Sequence, residues 1–303
     1  MPISSSQVPV DAKGRETKKH GTDQFPIAAY RSTLHYPVPW HWHEDLEAGL
    51  VRRGTVRLSA GTEEYLVEAG HGFLLNADLI HSIHRSTRES CELISLVFSP
   101  RIIAGSMESV FWQKYMAPVL SGRAPRVLIL NEDSPWHSQI RQDIETAWDA
   151  LEQEPAGYEF KVRTALSDSV FTLSQHLPDI SSGPDRRAIR EEERIMAMLA
   201  FIEDHFSEEI TLKQISDAAA VSESECLRCF RHVLHTSPVR YLKLLRIRKA
   251  AALLKNPGMK ISDAAAMCGF LDMSYFAGTF REVYGMSPKE YRRLPVPEES
   301  SRQ

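Results

Sequence analysis

Along the last third of the chain, apolar residues recur three and four positions apart. Ile261, Ala264, Ala265 and Cys268 share one face of a short predicted helix, and Phe276, Phe280 and Val283 share one face of the next. Gly269 stands where a helix end needs a left-handed residue, and Asp272 suits the N-cap that follows. The same pattern occurs upstream. Thr211 and Gln214 make a capping box, Ser222 opens a helix, and Cys226, Cys229, Phe230 and Val233 turn inward on it. Between the two pairs, Ser237-Pro238 starts a longer helix with Tyr241, Leu242, Leu245, Ile247, Ala250, Ala251 and Leu254 on its apolar side, ending at Asn256-Pro257-Gly258. Ile195, Leu199 and Ile202 mark a helix before the first pair, and Ser287-Pro288 with Glu290 opens a last one. The hexapeptide Ile-Ser-Asp-Ala-Ala-Ala occurs at Ile215 and at Ile261, but starting both units there leaves Phe230 and Phe280 out of step. Pairing Leu212 with Ile261 brings them into step and sets Ala220 opposite Gly269. Residues 189–294 therefore read as two helix-turn-helix units.

The first hundred residues carry a different period. Runs at Leu50-Val51, Val56 to Leu58, Glu64 to Val67, Phe73 to Leu75 and Leu93 to Phe98 are short and bounded by turn residues such as Gly54 and Gly70. Short strands at such spacing predict a β-sandwich or barrel over residues 25–100. Residues 101–178 turn helical. Ile140, Ile144, Ala147, Trp148 and Leu151 lie on one helix, and Leu166, Val170 and Leu173 on the next, with Pro155-Ala156-Gly157 between them. That is a helical hairpin, which can pack on the barrel or on its copy in a dimer. Residues 1–24 read as a polar flexible arm, 179–188 as a linker and 295–303 as a tail. The fold class is α+β: a barrel with a helical hairpin, then an all-α domain.

Charge sharpens this division. The chain carries a formal net charge of −4, yet residues 210–293 hold fourteen Lys or Arg against seven Asp or Glu. A basic domain in an acidic chain is an electrostatic footprint for DNA. The longest apolar runs fall well short of the roughly 18 residues a membrane helix needs, and no secretory leader is expected. Four scattered cysteines, Cys91, Cys226, Cys229 and Cys268, suggest a reduced, cytoplasmic protein rather than a disulfide framework. Cys226 and Cys229 sit on one helix with no second pair, so they read as buried apolar residues and not as zinc ligands.

His41-Trp42-His43, Glu47 and Gly54 resemble the first motif of the cupin fold, a small β-barrel, and His81 follows a later strand. His41 and His43 point to one side of a strand and with Glu47 and His81 could ligate a metal. Asn76, Ala77 and Asp78 stand where the second cupin motif usually has proline and glycine, so the reading adopted is that these groups brace the barrel mouth without metal. The mouth is the candidate effector pocket, with Arg31, Trp40, Trp42, His43, Glu47 and His81 as its binding residues and Tyr30, Tyr36 and Phe73 as further walls. There is no further acid/base constellation, so no catalytic residue, metal or cofactor is assigned.

The last third resembles the DNA-binding domain of the AraC/XylS family of transcription regulators. The residues that carry this are Phe230, Ser237-Pro238, Arg248 to Leu254, Ile261, Gly269-Phe270, Ser274 to Phe276, Phe280, Gly285 to Pro288 and Tyr291-Arg292. The barrel is similar to the effector domain many members carry. The resemblance implies a regulator, leaning to an activator, with two recognition helices entering successive major grooves about 34 Å apart. Its partners would be double-stranded DNA and a small-molecule effector, with RNA polymerase and a second copy of the chain as further candidates. Ser224, Leu227, Arg228 and Arg231 are the expected contacts of the first unit, and Met273, Ser274 and Arg281 those of the second. Lys243, Arg246 and Arg292 are expected on phosphates. Three departures stand out: Gly278 replaces the usual arginine, His235 replaces a glycine, and Glu225 and Leu227 are unusual on the outer face. With Gly278 in the second unit and the arginine pair in the first, base reading is expected mainly from the first. Two other readings use the same residues: a metal-dependent cupin enzyme with a DNA-targeting tail, and a constitutive DNA binder whose barrel only dimerises.

Overall fold

Strand alternation in the first half and capped helices in the second give two separate units, residues 15–189 and 190–302. The computed structural model describes residues 15–34, 37–87, 90–120, 124–177, 186–256 and 258–293. The expectations for residues 1–14, for most of the linker, for the tail and for Tyr36 lie outside these.

Among the described residues the first unit holds nine strands: β1 (Ile27–Ser32), β2 (Val38–His41), β3 (Leu46–Arg53), β4 (Thr55–Ala60), β5 (Glu63–Glu68), β6 (Gly72–Leu75), β7 (His81–Arg85), β8 (Glu92–Phe98) and β9 (Val127–Leu130). They form two antiparallel sheets, one ordered β1-β8-β3-β6-β9 and the other β2-β7-β4-β5. Both faces of the first sheet are covered, and the period of two decides which residue goes where. On β3, Leu46, Ala48 and Leu50 join the outer core, while Val51 turns into the space between the sheets with Val56, Leu58, Val67, Phe73 and Ile83. A Cβ at Gly49 would lie 2.3 Å from the Phe73 ring, so the glycine is the seat of that aromatic.

The outer face is covered by α1 (Arg101–Ala104), a π-turn at Trp112–Met116, α2 (Pro135–Gln153) and α3 (Tyr158–Gln175). Trp148, Ile140, Ile144, Val162 and Leu166 are buried there against Ile27, Leu46, Ala48 and Leu96. The hairpin thus packs on its own sheet. Residues 101–178 are not helical throughout: β9 pairs with β6 at the sheet edge. The arm is also not free along its whole described length. Arg15 bridges to Trp42, and Glu16 and His20 are buried.

Helix α4 (Arg186–His205) runs across the boundary into the second unit, followed there by α5 (Leu212–Ala218), α6 (Glu223–Leu234), α7 (Pro238–Leu253), α8 (Ile261–Met267), α9 (Met273–Tyr284) and α10 (Pro288–Tyr291). Helix α4 begins inside the segment expected to be linker. The caps form as read: Thr211 and Ser287 make capping boxes, and Ser222, Ser237 and Asp272 accept from the backbone three residues on. The frame pairing Leu212 with Ile261 reappears in the backbone. Ala220 has φ 52° where Gly269 has 74°, and His235 has φ 49° where Gly285 has 72°. All four cysteines are free and buried.

Candidate functional site

Two places concentrate chemistry, one in each unit. In the first, His41 on β2 pairs in register with His81 on β7. His43 follows in the turn after β2, and Glu47 comes from β3 of the facing sheet. All four are buried, and one ligand atom of each lies within 4.8 Å of the others. The His41 and His81 rings are 4.2 Å apart, and those of His43 and His81 5.2 Å. Each ring is fixed from behind. The Nδ1–H of His41 donates to the Pro39 carbonyl (2.8 Å), that of His43 to Asp45 (2.9 Å) and that of His81 to Leu79 (2.8 Å). Their Nε2 atoms converge; those of His81 and His43 lie 3.2 and 3.5 Å from Glu47 Oε2. The arm roofs this cluster, with Glu16 Oε2 3.2 Å from His20 Nε2 and 3.8 Å from His41 Nε2.

Burial and then the neighbouring His81 and His43 hold His41 well below the ordinary imidazole range. Burial pulls His43 the same way, but Glu47 outweighs it and the net shift is upward. Burial raises Glu47, and contacts with His43 and His81 reverse this, leaving it well below the usual carboxylate range. Trp42 is half-buried beneath Arg15, whose guanidinium is 5.8 Å from the ring, and Trp40 is half-buried on β2. Arg31 is not with them. It shares strand parity with Ile27 and Ala29, so it faces the helices, bonded to Glu152 at 2.6 Å and lying over Trp148. Its neighbour Tyr30 turns the other way and meets His20 at 2.9 Å.

In the second unit, Ser224, Leu227 and Arg231 are exposed on α6, and Met273, Ser274 and Arg281 on α9. Arg231 and Arg281 make no ion pair among the described residues. Family models match both units: an AraC-like ligand-binding domain over residues 22–168 and a helix-turn-helix domain over 215–294. The transcriptional activator RhaS of Citrobacter koseri is 34% identical over 285 residues, covering 91% of this chain and 97% of that protein. The chain belongs to the AraC family of transcriptional regulators. The HTH-type regulator YdeC of Bacillus subtilis is 25% identical over 289 residues, covering 94% and 98% of the two chains. Among solved structures, apo ToxT from Vibrio cholerae aligns over 91% of this chain and 98% of its own, at 15% identity and a TM-score of 0.41.

Within this AraC-family DNA-binding unit, four of the expected contacts bond to other groups of the protein. Arg228 donates to Glu191 (2.8 Å) and to both oxygens of Glu225 (2.8 and 2.9 Å). Arg194 also reaches Glu225 at 2.8 Å, so this glutamate faces α4 and is neither a solvated rim residue nor an open acceptor. Arg246, expected on phosphate, is bonded within the protein instead. Its half-buried guanidinium donates to the carbonyls of Phe206 (2.6 Å), Glu208 (2.6 Å) and Gly269 (3.1 Å), which occupies it within the protein. Lys243 pairs with Glu282 at 3.2 Å across α7 and α9, and Arg292 remains exposed while donating to Met259. Two residues absent from the expected set are prominent. Leu271 is fully exposed at the tip of the turn and Tyr275 is 58% exposed at the start of α9. An apolar residue directly before an N-cap, where no core face exists, is the sequence signal that could have found Leu271.

Proposed function

We propose that the chain is a sequence-specific DNA-binding regulator, an activator, that docks double-stranded DNA through α6 and α9 and is switched by a small molecule at the closed end of its N-terminal barrel. The observation that carries this is the matched frame of the two helix-turn-helix units, each with small, apolar and arginine side chains exposed on its second helix. Residues at the start of such helices reach base edges in the major groove. Ser224, Leu227 and Arg231 then read the first half-site, and Leu271, Met273, Ser274, Tyr275 and Arg281 the second. Arg228, tied to Glu191, orients α6, and Arg292 and Lys243 meet phosphates. The effector contacts are His43, Glu47, His81, Trp40 and Trp42.

The regulator names of the relatives support this over a metal-dependent enzyme, and the activator name of RhaS supports the direction. RNA polymerase and a second copy are the further partners in this reading, and the cytoplasm is its compartment. Among the described residues no helix is long and apolar enough to cross a membrane. The test is capture of genomic fragments on the full chain, followed by affinity measurements on the recovered site. Arg231→Ala should cost about 1–3 kcal/mol on that site and much less on random DNA. Arg228→Ala should act mainly on folding. Equal losses on both DNAs for Arg231→Ala, or no captured site, would sink the reading.

A further inference from the structure

We propose that the closed end of the N-terminal barrel binds one divalent first-row transition-metal ion through Nε2 of His41, His43 and His81 and the carboxylate of Glu47. Four observations carry it. The ligand atoms come from β2, the turn after it, β3 and β7, yet lie within 4.8 Å of one another. Ligands held about 2.1 Å from an ion stand about 3–4 Å apart, so closing onto a metal needs only small side-chain movements. Second, each Nδ1 faces a backbone carbonyl and must donate, which in a neutral imidazole puts the lone pair on Nε2. Metal-binding histidines are oriented in this way by partners on the other nitrogen.

Third, Nε2 of His43 and of His81 is buried without a hydrogen-bond partner. Buried polar atoms are rarely left so, because burial removes the water that would otherwise bond them. Here the convergent groups are all acceptors. A proton on one ring relieves one contact with Glu47; a cation relieves all four groups together. Fourth, Glu16 and His20 of the arm close over the cluster and are themselves buried, which shuts bulk water out of the site. Three imidazoles and a carboxylate suit zinc, iron, cobalt, nickel or manganese, and the all-oxygen preference of calcium and magnesium argues against those ions. The sequence reading that these residues merely brace the barrel gave no reason for three Nε2 atoms to converge without donors.

The inference deepens the reading of this unit as an effector domain, and its test is independent of DNA. The full chain, without an affinity tag, is stripped with a chelator and reconstituted with Zn²⁺, Mn²⁺, Fe²⁺, Co²⁺ or Ni²⁺. Metal content is then measured after gel filtration, and the Co²⁺ form is examined by visible absorption. At least one of the metals should bind at about one ion per chain, and the His43→Gln/His81→Gln variant should lower affinity at least about tenfold. The Co²⁺ spectrum should show d–d bands of nitrogen and oxygen ligation without thiolate charge transfer. Background metal content for all five ions, or equal content in the variant, would overturn the proposal. Where circular dichroism shows that the variant does not fold, the wild-type Co²⁺ spectrum decides alone, and bands of the aqueous ion would overturn it. DNA-fragment capture by the stripped protein tests the regulator reading separately.

Discussion

The first helix-turn-helix unit solves with side-chain-bearing residues what the second solves with glycine. Ala220 and His235 hold φ of 52° and 49°, where Gly269 and Gly285 hold 74° and 72°. An L-residue in this region brings its Cβ against the following carbonyl at a cost of about 1–2 kcal/mol. Glycine removes that cost but gives back about 0.5–1 kcal/mol through its freer unfolded chain. Both side chains are exposed, so neither substitution removes packing. Ala220→Gly and His235→Gly should therefore each stabilise the first helix-turn-helix by about 0.5–1 kcal/mol. They lie at opposite ends of α6, about 18 Å apart at 1.5 Å per residue, and should add. Hydrogen exchange of the α6 amides in the full chain reads this opening free energy directly. The reverse change at Gly285→Ala meets no atom within 4 Å, so it isolates backbone strain and should cost about 1 kcal/mol. Slower exchange absent from both glycine variants, or a neutral Gly285→Ala, would refute the strain argument.

Three further outcomes follow from the packing. Gly49→Ala drives a Cβ to 2.3 Å from the Phe73 ring and should destabilise the first unit by about 1–3 kcal/mol, read as a lower calorimetric transition for that unit alone. Arg246→Met keeps the stem and strips three carbonyls of their donor. With hydrogen bonds to charged groups at about 1.5–3 kcal/mol each and not additive, a loss of at least about 2 kcal/mol is expected in chemical denaturation. Glu191 gives a pH dependence. Burial raises its pKa, but hydrogen bonds from Arg228 and His232 outweigh this and the net shift is downward. A depressed folded pKa means stability that is full above the unfolded value near 4.3 and is lost as pH falls through the folded one. Melting temperature below about pH 4 should thus fall more steeply in the wild type than in Glu191→Gln.

What was legible in the sequence was what is settled within a few residues. Thr211, Ser222, Ser237, Asp272 and Ser287 cap their helices through bonds to amides three residues on, so their spacing is the interaction itself. The spacing of His41 and His43 suggests a shared side of one strand, and the structure ends β2 at His41 with His43 in the turn beyond it. The arrival of His81 could not be read from spacing, because it depends on the β2–β7 register. Val127 to Leu130 is a four-residue apolar run without a period to call it strand or helix, and its pairing partner β6 lies about fifty positions upstream. Arg31 and Tyr30 could not be assigned to faces because β1 is covered on both sides. Arg228 and Arg246 point outward on their own helices by periodicity. Apart from Glu225 on α6 itself, the groups that hold them come from α4, the loop after it and the turn before α9.

The bonds that tie Arg228 to Glu191 and Glu225 change how base reading is divided. From the sequence, the first unit holds an arginine pair and the second a lone Arg281 beside Gly278. In the structure each unit offers one exposed arginine, Arg231 or Arg281, and the second adds exposed Leu271 and Tyr275 at the start of its helix. Glu191 decides this. Its buried carboxylate accepts from Arg228 at 2.8 Å and from His232 at 2.7 Å, and releasing Arg228 would leave that charge with one partner fewer. Glu191→Gln removes the buried charge from one side of the guanidinium and leaves the two bonds to Glu225, a carboxylate that Arg194 already neutralises in part. If Arg228 then swings to phosphate, DNA affinity should rise and the slope of log affinity against log salt should steepen by about one counterion. An unchanged slope in Glu191→Gln, with α6 still folded, would show that Arg228 stays with Glu225, and that Arg231 is the arginine α6 offers to DNA beside Ser224 and Leu227.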